Sequence, residues 1–270
     1  RENVFRGVAL TVGGIRNLVL ENNIFHGSST SPGYNTMVDF SFGEYQDSYI
    51  YNATVKGNIF YMSHRHNAAP VWYGVIGGFI RVVSTSFIGN TFIDPDRIAI
   101  YLQSSTAPGT TLDVRGLSIV GNTIVGTPDR LFMGIRVEAH KNVVIKGNYI
   151  EGAQIGITAD ENAEVVIEGN YIRETTSAAL WISNSRAVIS ENMIHNCARQ
   201  SDKCIILDNT SQRSIISNNR LYRNVSEYLP IGIDTRFSQG YNLILGNVFE
   251  GQWSVQKISS HITDTVAYTI

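Results

Sequence analysis

Apolar and polar residues alternate in short bursts along the whole chain, as in Val143-Val144-Ile145-Lys146 and Val165-Val166-Ile167-Glu168. Each burst is followed by an asparagine and then a brief apolar pair. A period of two marks half-buried strands, so the unit reads as strand, bend, strand. The asparagines fall at Asn23, Asn58, Asn90, Asn122, Asn148, Asn170, Asn192, Asn219 and Asn247, with successive gaps between 22 and 35 residues. A repeat of that period signals a solenoid. The Gly-Asn step of Gly121-Asn122 or Gly169-Asn170 suits a bend that visits positive φ. Stacking the coils puts the asparagines in register, where each amide can donate to the next.

A third alternating segment precedes each burst and opens on a glycine or another small residue. Its copies include Gly134-Ile135-Arg136-Val137-Glu138, Gly156-Ile157-Thr158-Ala159-Asp160, Ala179-Leu180-Trp181-Ile182-Ser183, Cys204-Ile205-Ile206-Leu207-Asp208 and Gly232-Ile233-Asp234-Thr235-Arg236. Gly7 to Thr11, Val38 to Ser41, Ile80 to Val83 and Ile100 to Gln103 are placed in the same column. The predicted fold is therefore all-β: a right-handed parallel β-helix, or solenoid, of about nine coils, three strands per coil, with an Asn ladder. The helix is expected over residues 1–257, with 258–270 closing the last coil or pairing with a neighbouring chain. Gly7 to Leu20 already reads as an ordinary coil, so the chain is expected to be a piece of a longer one.

A coil of 22 residues holds three short strands and tight turns, so longer coils must extrude loops. These fall at residues 26–36, 61–77, 103–113, 125–133, 196–203 and 223–231, nearly all beside the third segment. Loops carry function more often than the scaffold does, which marks this flank as the working face. Its outward residues form two expected columns. One reads Ala9, Asp39, Arg81, Tyr101, Arg136, Thr158, Trp181, Ile206, Asp234; the other reads Thr11, Ser41, Val83, Gln103, Glu138, Asp160, Ser183, Asp208, Arg236. Aromatic, acidic and basic side chains on one face suit a sugar polymer, which stacks on rings and hydrogen-bonds to charged groups.

Glu138, Asp160 and Asp208 are the candidate acid/base residues. Glu138 and Asp160 sit on adjacent rungs, with carboxyls roughly 5 Å apart, the retaining-glycosidase spacing. Asp160 and Asp208 sit two rungs apart, about 9 to 10 Å, at the upper edge of the inverting range. The alternative is that these are solvated carboxylates neutralised by Arg136 and Arg236. Tyr101, Arg136, Trp181, Asp234 and Arg236 are the candidate substrate-binding residues, joined by His64 and Trp72 in a loop that could act as a lid. No third ligand accompanies His64 and His66, so no metal site is expected.

The formal charge of -2, from 21 Lys plus Arg and 23 Asp plus Glu, gives no basic field for nucleic acid. No apolar run approaches a membrane span. Cys197 and Cys204 fit neither a zinc site nor a disulfide-rich scaffold; a stapled loop and two buried thiols both remain open.

On its repeat of Gly-Asn plus an apolar pair, as in Lys146-Gly147-Asn148-Tyr149-Ile150, the whole chain resembles the pectate-lyase-like β-helix superfamily. That superfamily includes pectate lyases, polygalacturonases, phage tailspike depolymerases and NosD-like repeat proteins. The resemblance implies that the third segment is the first strand of each coil, whose outer face lines a polysaccharide groove. It implies an extracellular, secreted or virion-associated protein that hydrolyses or eliminates a polysaccharide, or a fibre or adhesin that holds glycan without cutting it. A lyase would use Arg136, Arg236 or Lys141 to neutralise a uronate carboxylate, with calcium on Asp160 and Asp208; hydrolysis requires no cofactor. The tailspikes of the superfamily imply a homotrimer. The chain lacks the Gly-His-Gly and Arg-Ile-Lys signatures of polygalacturonases, and Asp94-Pro95-Asp96-Arg97 reads as a turn.

Overall fold

The structure, a computed structural model, describes residues 3–6, 10–11, 15–27, 37–39, 49–61, 74–79, 81–103, 115–201, 203–224, 230–253 and 257–267. Three parallel sheets of ten strands each wrap these residues into a right-handed β-helix. Sheet 1 holds the third segments, from Leu10–Thr11 to Ile258–Ser259; sheet 2 holds the strands ahead of the asparagines, from Val19–Glu21 to Thr265–Ala267. Sheet 3 holds the strands after them, from Val4–Arg6 to Val248–Gly251. Ten rungs at roughly 4.8 Å give a column about 43 Å long. Ile258–Ser259 pairs with Ile231–Asp234 and Thr265–Ala267 with Leu243–Leu245, so the last coil continues sheets 1 and 2.

The asparagine ladder lies at the bend between sheets 2 and 3. Side-chain amides link Asn3, Asn23, Asn58, Asn90, Asn122, Asn148, Asn170, Asn192, Asn219 and Asn247 in one run, each Nδ2 donating to the next Oδ1 at 2.9–3.0 Å. Asn3 is a rung that the sequence pattern missed. The residue ahead of the ladder turns left-handed, with φ of 63° at Gly147 and 57° at Glu191, which opens the corner. Inside, Phe5, Phe25, Phe60 and Phe92 stack with centroids 4.7 to 4.9 Å apart, and Ile124, Ile150, Ile172 and Ile194 continue their column. Each fully buried isoleucine contributes about 2 to 3 kcal/mol through the apolar surface it removes from water.

Two expectations about register are corrected. The place expected for Ile80 to Val83 in sheet 1 is taken by Gly74–Phe79; Arg81–Val83 pairs instead with Tyr49–Tyr51 in a separate two-stranded sheet, and Ile80 lies outside the described residues. Thr11, not Ala9, stands opposite Asp39, so the first column begins Thr11, Asp39, Gly77, Tyr101. Both slips are even, two residues at Thr11 and four at Gly77, so each side chain keeps its face and the period-two pattern cannot tell the registers apart.

Candidate active site on the outer face of sheet 1

At Gly134 and Gly156 the coil enters sheet 1 through a corner that tolerates no bulk, whereas Ala179 and Cys204 fill the equivalent place on the next rungs. A Cβ on Gly134 would lie 2.6 Å from the Gly156 carbonyl oxygen and 2.8 Å from Ile150 Cγ2; one on Gly156 would lie 2.6 Å from the Ala179 carbonyl oxygen. This is the physical reason for the glycine that opens these two segments. The strands begin before that corner, adding an outward column that sequence reasoning did not assign: Ile98, Met133, Ile155 and Ala178, paired rung to rung. They are buried against one another under Phe132, Trp181 and Ile206, forming an apolar ledge outside the main core. The clue available in the sequence was the apolar residue just ahead of the small one that opens the segment, Met133, Ile155 or Ala178.

Beyond the ledge, Tyr101, Arg136, Thr158 and Trp181 occupy successive rungs, and Gln103, Glu138 and Asp160 occupy them in the next column. Tyr101, Arg136 and Glu138 make one buried network. Arg136 ion-pairs with Glu138 and lies over the Tyr101 ring, 5.3 Å from its centroid. The Tyr101 hydroxyl is 3.0 Å from Glu138 Oε2 and 2.8 Å from Gln103 Oε1, and donates its one hydrogen to either. Burial lifts the Glu138 carboxyl above its ordinary range; the Arg136 charge and the Tyr101 hydrogen bond pull it back only in part. Burial, then the Glu138 charge, likewise pushes the Tyr101 hydroxyl well above the usual phenol range. His140, fully buried, donates from Nδ1 to the Glu138 carbonyl oxygen at 2.6 Å, and burial lowers its pKa to about 4, so the ring is neutral.

Asp160 stands opposite Glu138 in strand register and is half-buried. Its Oδ1 accepts from the Glu161 N–H at 2.7 Å and from Asn184 Nδ2 at 3.2 Å. Asp208 pairs with Ser183 and accepts from the Asn209 N–H at 2.7 Å, which holds it in the same column. The structure thus brings Glu138 and Asp160 together with Tyr101, Arg136 and Trp181 nearby.

Asp234 and Arg236 form a second centre. Arg236 donates to both Asp234 carboxylate oxygens, at 3.0 and 2.9 Å, and Lys203 Nζ lies 3.4 Å from Oδ2. Burial alone would raise the Asp234 carboxyl, but the hydrogen bonds and charge of Arg236, with Lys203, hold it below its ordinary value. Lys203 Nζ and the Arg236 guanidinium sit 4.9 and 5.5 Å from the centroid of Phe237, which is 60% exposed. Lys203 and Phe237 were not foreseen: Phe237 follows the strand in a turn, where periodicity carries no signal. Cys197 and Cys204 are bonded, with Cα atoms 5.6 Å apart, and clip the loop that delivers Lys203. His64 and Trp72 lie outside the described residues. Among the described residues, no group of three or more His, Cys, Asp or Glu gathers as a metal site.

A family model described as a right handed beta helix region matches residues 74–249, more than half the chain. No curated protein matches the chain by sequence. Among solved structures, the A-module of the Azotobacter vinelandii mannuronan C-5 epimerase AlgE4 is 12% identical, with a TM-score of 0.64 over 99% of this chain and 79% of that one. The Streptococcus pneumoniae surface protein and adhesin PfbA is 11% identical, with a TM-score of 0.44 over 95% of this chain and 91% of that one. A DFA-IIIase of Arthrobacter chlorophenolicus is 12% identical, with a TM-score of 0.44 over 92% and 66%. At these identities the likeness concerns the fold.

Proposed function

We propose, from the premise that the chain belongs to the right-handed β-helix family, that it is a polysaccharide-cleaving enzyme whose substrate lies along the outer face of sheet 1. One observation carries this reading: Glu138 and Asp160 stand in register on adjacent rungs, one carboxyl lifted by burial and the other fixed by N–H donors. A rung spacing of roughly 4.8 Å puts such a pair in the range of retaining glycosidases. Glu138 donates its proton to the glycosidic oxygen while the bond to the sugar carbon breaks and Asp160 takes that carbon as an ester. Glu138, now ionised, then removes a proton from the water that cleaves the ester. Arg136 and the Tyr101 hydroxyl stabilise the Glu138 anion between the two steps. Trp181, with Phe132 and Ile206, covers the buried ledge and offers an apolar floor to a pyranose ring.

A second reading, a glycan-binding solenoid that does not cut, draws on the closure of Glu138, which is only 1% exposed and already ion-paired. Incubation with a panel of plant, algal and bacterial polysaccharides separates the two. New reducing ends that disappear in E138Q and D160N support the retaining pair. Loss in D160N and D208N with E138Q active moves the chemistry to the wider pair. Ultraviolet absorbance of an unsaturated uronate marks a lyase, and binding without any product marks the solenoid that only holds.

A further inference from the structure

Sheet 2 turns a second surface to solvent, around the corner from Glu138 and Asp160. A trough of about 430 Å³ lies over the turns that lead from sheet 1 into sheet 2, walled by Lys141, Glu164, Asn184, Arg186, Gln212 and Arg213. A second trough of about 370 Å³ shares Glu164 and Arg186 and has Val144, Val166 and Val188 as its floor. Strand pairing explains the alignment. Glu164 stands opposite Arg186, and the pairs Val188 with Ile215 and Ile215 with Leu243 carry the same register onward. Two residues earlier, that register sets Arg213 and then Tyr241 on the rungs after Arg186. A line of Arg186, Arg213 and Tyr241 therefore runs along the helix axis beside a column of half-buried Val166, Val188, Ile215 and Leu243.

These groups differ in how they are occupied. Lys141 Nζ donates to the Asn162 carbonyl oxygen at 2.7 Å and pairs with Glu164 at 3.2 Å. Arg186 and Arg213 are exposed, and neither guanidinium has a hydrogen bond or ion pair among the described residues. Tyr241 is 67% exposed. Two unpaired guanidiniums one rung apart repel each other and offer forked donors that match carboxylates. A floor of branched aliphatic side chains accepts the C–H face of a pyranose, and rim amides such as Asn184 and Gln212 hydrogen-bond to hydroxyls.

We propose that this face of sheet 2 binds an acidic polysaccharide laid along the helix axis, with uronate carboxylates on Arg186 and Arg213 and a sugar ring on Tyr241. Two exposed guanidiniums beside an apolar floor suit a short run of uronate rings better than a nucleic acid, whose affinity grows with the number of phosphates neutralised. The site shares no residue with the cleavage groove proposed above, so either assignment can fail without the other.

The test is calorimetric titration of the intact chain at low salt with a galacturonate hexamer, a mannuronate hexamer and neutral maltohexaose. Binding of either acidic hexamer, weakened by about tenfold or more in R186A/R213A and eroded by added salt, supports the proposal. Tyr241→Ala is expected to weaken it several-fold and M193A, exposed on sheet 3, to leave it unchanged. Melting curves of the exposed-residue variants should match the wild type, and R213E, which keeps a long side chain, should bind less than R213A. Wild-type affinity in the double variant overturns the proposal, as does equal binding of the neutral hexamer or no binding of either acidic one at millimolar concentration.

Discussion

Replacing Asn170 by alanine tests the ladder at its middle. The side chain is 1% exposed and makes four hydrogen bonds. Its Oδ1 accepts from the backbone N–H and the Nδ2 of Asn148, both at 2.9 Å, and its Nδ2 donates to the Ile145 carbonyl and to Asn192 Oδ1 at 3.0 and 2.9 Å. After truncation Asn148 Nδ2 still reaches the Ile119 carbonyl, and Asn192 Oδ1 still receives the Asn170 backbone N–H. The Asn148 N–H, by contrast, loses its acceptor in a buried corner. Two net hydrogen bonds at about 1 kcal/mol each, plus about 1 to 2 kcal/mol for the orphaned donor, give roughly 3 to 4 kcal/mol. Urea unfolding followed by circular dichroism measures the loss. Asn218→Gly is the control: Asn218 is exposed at φ 55°, where other coils carry glycine, and the change should stay within about 0.5 kcal/mol. A cost below about 1 kcal/mol for N170A would refute the reasoning, because the ladder would then be a consequence of stacking and not a support for it.

Further outcomes follow from single features. His140 is held neutral with a pKa near 4 against 6.5 when unfolded, so the unfolded chain binds the extra proton and stability falls as pH drops from about 6.5 to 4. The loss is of order 3 kcal/mol, and H140L should flatten that limb of a pH series of urea midpoints; parallel curves would refute the assignment. Gly156→Ala drives a methyl to 2.6 Å from the Ala179 carbonyl oxygen and should cost about 1 to 3 kcal/mol; an unchanged melting temperature would show that the corner has slack. Reducing the Cys197–Cys204 bond, seven residues apart, should cost roughly 2 to 3 kcal/mol by loop closure, read as a lower melting temperature in dithiothreitol than in buffer alone.

The scaffold was legible because its parts repeat. An asparagine that must reach its counterpart on the next rung recurs in sequence, and so does the alternation that buries Ile145, Ile167 and Ile189. The carboxylate columns followed from counting along the strand, and Glu138 and Asp160 do stand in register. Register was lost where apolar alternation has two solutions, at Gly74–Phe79 against Arg81–Val83. What the pattern could not disclose was which neighbours within a coil would close on each other. Alternation put Arg136 and Glu138 on one face, and Asp234 near Arg236, without fixing the ion pairs between them, and the spacing of Cys197 and Cys204 left their bond open. Phe237 and the ledge of Ile98, Met133 and Ile155 depend on where the backbone leaves the sheet, a matter of corner packing.

The central claim is that substrate lies over sheet 1 with the bond to be broken at Glu138 and Asp160. It is met most directly by a crystal structure of D160N soaked with a hexasaccharide of whichever polysaccharide the wild type cleaves. The account predicts sugar density along the outer face of sheet 1, one glycosidic oxygen within hydrogen-bond reach of Glu138 and a ring over the Trp181 ledge. An empty sheet 1 face in a fully occupied crystal would contradict it.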